Sequence, residues 1–236
     1  ELGAEVTITR FGEPDMNGQP DPAEEKVEPG TVTASGDPTE VAPGTWFTDA
    51  AELTPQQPVR AQIVPGETHF YRIPVEHGQQ LAGKVSMVEE ADDFENNHAG
   101  DNLIVTGYNE ARTEIYLEGR SASIQKDSSG EFSYPAPILF ANRYGGSHND
   151  GSGIPGIESV WQGGEQYLAI NYEKFHSTQE INENTQLPVL TYDLVVDAFG
   201  DPVPEPTFAP VKVETEKPSE APEPTAQDNS ANQAQS

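Results

Sequence analysis

Cysteine is absent from this 236-residue chain, so disulfides, thiolate metal sites and cysteine nucleophiles are excluded. Basic residues are scarce: 12 Lys and Arg face 40 Asp and Glu, giving a formal net charge of −28. Such a surface repels phosphate backbones and anionic lipid, so neither nucleic acid nor a membrane surface is an expected partner. Long hydrophobic runs are missing too. No stretch approaches the roughly 18 apolar residues needed to span a bilayer, so membrane attachment is expected only through an anchor outside this sequence. No long segment carries a 3.6-residue apolar period, which argues against parallel βαβ winding. Hydrophobic residues make up only 34% of the chain, below the roughly 45–50% apolar fraction of an ordinary globular domain.

Proline and glycine are plentiful, with 21 of each, and they punctuate the sequence unevenly. Residues 1–43 open with one strand-like run, Glu5 to Phe11. Pro14, Pro20, Pro22, Pro29, Pro38 and Pro43 then interrupt it, which reads as a linker or the end of a preceding domain. Residues 44–199 hold most of the apolar side chains. A short helical turn is expected at Thr48–Leu53, capped by Thr48 or Asp49. Strands are expected near Val59–Ile63, His69–Val75, Leu81–Val88, Asn102–Tyr108, Glu114–Leu117, Ile138–Asn142, Gln166–Tyr172 and Leu190–Val196. Turn residues such as Pro65-Gly66, Gly78 and Gly163-Gly164 separate them. Short strands with this punctuation indicate an all-β sandwich or barrel. Within His69–Val75, Phe70, Arg72 and Pro74 share one face and Tyr71, Ile73 and Val75 the other. Residues 200–236 combine repeated prolines with Glu, Ala, Thr, Ser and Gln. They are expected to form a disordered acidic stalk. Because the sequence starts at Glu1 rather than Met, it is expected to be a processed or excised piece, with any signal or anchor outside it.

Two motifs carry a family resemblance. Gly44-Thr-Trp-Phe-Thr-Asp-Ala-Ala-Glu-Leu53 is followed by Pro65-Gly-Glu-Thr-His-Phe-Tyr-Arg-Ile-Pro-Val75 and then Gly78-Gln-Gln-Leu81. Together they resemble the opening of bacterial pre-peptidase C-terminal domains and of sandwich modules in actinobacterial envelope proteins, some of which lie beside von Willebrand factor A domains. The match covers about 45 residues, from Gly44 to Met87. It implies an antiparallel, jelly-roll-like β-sandwich acting as a secreted, non-catalytic accessory module. Freedom from cysteine is compatible with that address in Gram-positive bacteria. The strand pattern Asp-x-Asp-Leu-Tyr/Phe of the pre-peptidase family has only Asp101-Asn-Leu-Ile-Val105 as its nearest counterpart.

Candidate chemistry is sparse. No G-x-S-x-G motif marks a serine nucleophile, and Gly151-Ser152-Gly153 lacks a strand-to-helix context. His69, His77, His98, His148 and His176 show no ligand spacing for zinc. Pairs of carboxylates, the signature of glycoside hydrolysis, are uninformative in so acidic a chain. Calcium is the better metal candidate, since zinc would require distant histidines to meet by folding. The acidic run Glu89–Asn102 supplies hard oxygen ligands, with Asp92, Asp93 and Asp101 the first to consider, but it lacks EF-hand spacing. A sandwich face can also hold a sugar or wall polymer on exposed aromatics, for which Tyr134, Tyr144, Trp161, Tyr172 and Phe175 are candidates. The competing reading places Trp46, Trp161 and most aromatics in the core. The expectation is thus a non-catalytic extracellular or envelope module, a spacer or interaction domain. Its partner would be another extracellular domain or a cell-wall glycan, and it needs no cofactor. A carbohydrate- or wall-polymer-binding domain, with or without calcium, is the alternative.

Overall fold

The computed structural model describes residues 8, 10–89, 102–123, 128–145, 153–173 and 189–211, and among them eleven strands and three short 3-10 turns make up the regular structure. The strands are β1 (Thr39–Glu40), β2 (Ala51–Glu52), β3 (Val59–Ile63), β4 (Thr68–Val75), β5 (Gln80–Glu89), β6 (Asn102–Tyr108), β7 (Glu114–Ile115), β8 (Ser121–Ser123), β9 (Ser129–Ser133), β10 (Gly164–Glu173) and β11 (Leu190–Phe199). One sheet has the order β1-β3-β11-β5-β9 and the other β2-β4-β10-β6-β7, with β8 also pairing β6. Among the described residues the longer ladders are all antiparallel, and the two-residue pairings of β1 with β3 and β2 with β4 are parallel. The protein is an all-β sandwich.

Its turns explain how the chain builds two layers. Pro65-Gly66, with Gly66 at φ 88°, carries β3 of one sheet into β4 of the other. The Glu67 carboxylate accepts the Val64 N–H across this turn. Gly78, at φ 85°, then returns the chain from β4 to β5 in the first sheet. Both glycines adopt the left-handed conformation that a Cβ penalises. Alternation within the strands then fills the space between the sheets. Tyr71, Ile73 and Val75 of β4 meet Leu103 and Val105 of β6 and Leu168, Ile170 and Tyr172 of β10. Ile63, Leu81, Val85, Tyr192, Leu194 and Val196 face them from the other sheet. Each fully buried large aliphatic chain contributes about 1.5–3 kcal/mol relative to exposure.

Polar groups inside this core are joined into a relay. The Tyr71 and Tyr192 hydroxyls lie 2.7 Å apart, and the Tyr192 hydroxyl is 2.8 Å from His69 Nδ1. On its other side, His69 Nε2 is 3.6 Å from the Glu67 carboxylate at the surface. Burial holds the His69 pKa below its ordinary value, with Glu67 opposing the shift. Burial also pushes Tyr71 up to about 12, the hydrogen bond to Tyr192 working the other way. A neutral His69 satisfies every member: Tyr71 donates to Tyr192, Tyr192 donates to Nδ1, and Nε2–H points at Glu67.

Several expectations change. The strand expected at Ile138–Asn142 is instead a 3-10 turn, Phe140–Tyr144. Pro135 and Pro137 remove ladder donors just before it. The Asn142 side chain stabilises the turned backbone, donating to the Pro137 and Val160 carbonyls and accepting the Ala23 N–H. The helical turn expected at Thr48–Leu53 is confined to Phe47–Asp49, because Ala51 and Glu52 pair with β4. The strand expected at Glu114–Leu117 covers only Glu114–Ile115. Of the run Glu5–Phe11, Arg10 and Phe11 are not in a strand; most of the rest lies outside the described residues.

The flanking segments lie on the sandwich where they are described. Val27 donates to the Pro135 carbonyl, Gln80 Nε2 donates to the Val27 carbonyl, and β1 extends β3. At the other end of the chain, Val203 donates to the His77 carbonyl. The two segments also meet each other. Asp15 donates to Thr207, Ala209 donates to Glu13, and Pro14 bridges Phe208 in antiparallel sense. Gly12 permits this approach, since a Cβ there would lie 1.8 Å from the Ala209 carbonyl oxygen. Residues 212–236 lie outside the described residues.

Candidate functional site

The aromatic residues singled out from sequence separate into two environments. Tyr134 and Tyr172 are in the core, 0% and 1% exposed, so neither ring offers a face to an external ligand. Tyr134 donates its hydroxyl to Gln166 Oε1 at 2.9 Å, and burial raises its pKa far above the ordinary tyrosine value. The position of Tyr172 follows from strand parity, since it alternates in phase with Leu168 and Ile170 along β10. Tyr144 and Trp161, by contrast, come together around Arg143. The guanidinium carbon sits 4.7 Å from the Trp161 ring centroid, 5.2 Å from that of Phe140 and 5.5 Å from that of Tyr144. Phe11 and Phe208, from the two paired flanking segments, pack onto Trp161 and Phe140. Most ring faces in this cluster are therefore covered from within. Its chemistry is that of a clasp, cation–π and edge-to-face contacts holding the flanking segments to the sandwich. Tyr144 is the most exposed of these rings, and Phe11 is exposed to a lesser degree.

Asp92, Asp93 and Asp101, the calcium candidates, and Phe175 lie outside the described residues. Among the described residues, no group of three or more His, Asp or Glu is placed to hold a metal ion. The two described histidines bond Tyr192 and the Trp161 carbonyl rather than a serine. An open groove of about 470 Å³ lies beside β1, lined by Glu40, Val41, Arg60, Gln62 and Thr191. Arg60 there is held in a bidentate ion pair with Asp193, at 2.7 and 2.9 Å.

A second aromatic surface lies on the outer face of the β2-β4-β10-β6 sheet. Its most exposed member is Trp46, which the competing reading of the aromatics places in the core and which is 51% exposed. Register explains the arrangement. Phe70 of β4 lies opposite Ala169 of β10, while Tyr167 of β10 lies between Arg72 of β4 and Tyr108 of β6, all on the face away from the core. Phe47 rests edge-on over Phe70, Tyr108 and Tyr167, with centroids 5.0, 5.1 and 5.3 Å away. Trp46 packs beside Phe47 and Phe70 at 5.1 and 5.5 Å.

The turn that carries Trp46 and Phe47 is held by Asp49. Its carboxylate accepts the Thr45 N–H, the Thr45 hydroxyl and the Trp46 N–H, and these bonds lower its pKa. On the far side, Arg112 stands at φ 61°, a left-handed position usually given to glycine or asparagine. Its guanidinium lies 5.3 Å over the Phe47 ring. Around the rim, Arg72 bridges Glu52 at 3.1 Å and Glu165 at 3.4 Å. Glu114 lies opposite Tyr108 across the β6–β7 pairing, and burial together with this carboxylate raises the Tyr108 pKa. The result is a preorganised amphipathic platform. The signal that could have revealed it is in the sequence: Phe70 and Arg72 share the face opposite Tyr71 and Ile73.

No family model matches this chain, and no curated protein matches it. Among solved structures it has a distant likeness to a chain in the structure of infectious bursal disease virus Gx strain. Identity is 12% and the TM-score 0.28, covering 62% of this chain and 33% of that one. The chain thus spans about a third of that neighbour's length, and the likeness is too distant to carry an argument about fold or function.

Proposed function

We propose that this chain is a non-catalytic interaction module of a secreted or envelope protein, of the pre-peptidase C-terminal type that its Gly44–Met87 motifs resemble. The observation that carries this reading is the pairing of Glu13–Asp15 with Thr207–Ala209. Chain enters and leaves the sandwich side by side, so the module adds little length between whatever flanks it. That geometry serves display better than spacing: the sandwich projects sideways and offers its sheet faces to a partner. The acidic surface directs the choice of partner away from polyanions. A carbohydrate- or wall-polymer-binding role is the more specific form of the proposal, favoured by the aromatic platform around Trp46. The test is retention of wall polysaccharide fractions or secreted protein domains on the immobilised chain, alongside turnover assays with ester, peptide and glycoside substrates. Retention without turnover supports the module. Turnover of any of the three substrates overturns it.

A further inference from the structure

We infer that the outer face of the β2-β4-β10-β6 sheet is a binding site for an uncharged polysaccharide, with Trp46 as its stacking ring; this rests on the interaction-module reading and gives it a ligand. Three features of the platform converge on that chemistry. Its centre is apolar, built of aromatic rings packed edge to face. Trp46 is half exposed, and Phe47, Tyr108 and Tyr167 are partly exposed around it. The axial C–H face of a pyranose ring packs on such surfaces, where an aromatic side chain offers large contact area at low entropic cost.

Its rim is polar and planar. The Arg72 guanidinium, the Glu52 and Glu165 carboxylates and the Tyr108 and Tyr167 hydroxyls share the outer face with the rings. Carboxylates accept and guanidinium groups donate, so together they match the vicinal hydroxyls of a sugar, each both donor and acceptor.

Its charge selects among sugars. Glu52, Glu114 and Glu165 outnumber Arg72 and Arg112 in the same area, and the chain as a whole carries −28. Uronate or phosphate polymers would be repelled, and a second copy of this chain would be repelled as well. An uncharged hydroxyl-rich chain meets no such penalty. The platform is also rigid before any ligand arrives, because Asp49 fixes the turn and Phe70 supports both rings from beneath. Preorganisation of this kind lowers the ordering cost of binding.

The experiment is affinity electrophoresis and calorimetry of the full chain against neutral glucan, galactan and mannan, with polygalacturonate and a polyglycerol phosphate as anionic probes. Binding of at least one neutral polymer is expected, insensitive to salt, with the anionic probes unbound. Trp46→Ala should weaken it about tenfold or more, the loss of one stacked ring. Tyr167→Phe, which keeps the ring and removes the hydroxyl, should weaken it less, and unchanged melting of both variants shows that the fold persists. Neutral binding that survives Trp46→Ala, or binding of the anionic probes alone, overturns this site while leaving the module reading intact. Failure to bind any neutral polymer while a protein partner is retained does the same. Hydrolysis of the polymer overturns both.

Discussion

Replacing Tyr192 by Phe removes one oxygen from the centre of the buried relay. That oxygen serves both His69 Nδ1, at 2.8 Å, and the Tyr71 hydroxyl, at 2.7 Å. Both partners are buried, Tyr71 at 0% and His69 at 7% exposure, so neither regains a bond from solvent in place. A buried polar group stripped of its partner costs about 1–3 kcal/mol. Two such groups would together cost about 2–6 kcal/mol, which a turn of the His69 ring reduces to an expected loss of about 2–4 kcal/mol. For a domain of this size each kcal/mol moves the midpoint by about 2–4 °C, so Tyr192→Phe should melt roughly 5–15 °C lower. Urea denaturation should show a lower midpoint at unchanged slope.

The same relay predicts a pH dependence whose sign is fixed. The folded pKa of His69 lies below its unfolded value of 6.5. Its contribution is therefore fully present above about pH 6.5 and declines as pH falls from there towards the folded pKa. The relay supplies a structural reason beyond desolvation. A proton on Nδ1 turns an acceptor into a donor, reverses the Tyr192 hydroxyl, and leaves the Tyr71 hydrogen with no acceptor in the core. Stability measured between pH 7.5 and 5 should fall in the wild type and fall less in His69→Gln. A Tyr192→Phe protein as stable as the wild type, or identical pH slopes with and without His69, would refute the reasoning.

Other consequences are checked as readily. A Cβ on Gly83 would approach Phe132 Cζ to 2.2 Å across the β5–β9 pairing, so Gly83→Ala should cost about 1–3 kcal/mol by overpacking, read from the denaturation midpoint. Asp49→Ala removes the acceptor that fixes the Trp46 turn, and should raise collisional quenching of Trp46, measured in a Trp161→Phe background. Gly12→Val would collide with the Ala209 carbonyl and should separate the flanking segments, seen as lower energy transfer between dyes at positions 10 and 211.

Much of the sandwich is legible in the sequence because one-sided burial imposes a period of two. β4 shows this clearly: Tyr71, Ile73 and Val75 are at 0% exposure and alternate with the half-buried or exposed Arg72 and Pro74. The turns at Gly66 and Gly78 are legible because the backbone there needs glycine. Strands β8 and β9 are not, since Ser121–Ser123 and Ser129–Ser133 are short and rich in serine, with only Ala122 and Phe132 as apolar members. The candidate site is harder still. Aromatic identity does not tell inside from outside: Tyr172 follows the core parity of β10, whereas Trp46 sits on a turn with no parity to read. The docking of the flanking segments was hidden for a related reason. Their prolines forbid a ladder of their own, and the carbonyls that hold them belong to distant residues such as Pro135 and His77.

The joining of Glu13–Asp15 to Thr207–Ala209 has a mechanical corollary. Tension applied through residues 10 and 211 would pull the two strips apart from their open end, loading the Ala209 to Glu13 bond before the Asp15 to Thr207 bond. Bonds loaded in succession yield at far lower force than bonds sheared all at once. The strips would peel, and the Phe11 and Phe208 clasp with them, while the sheets stayed folded. The molecule would thus give up a short length of slack under a gentle pull and recover it on release.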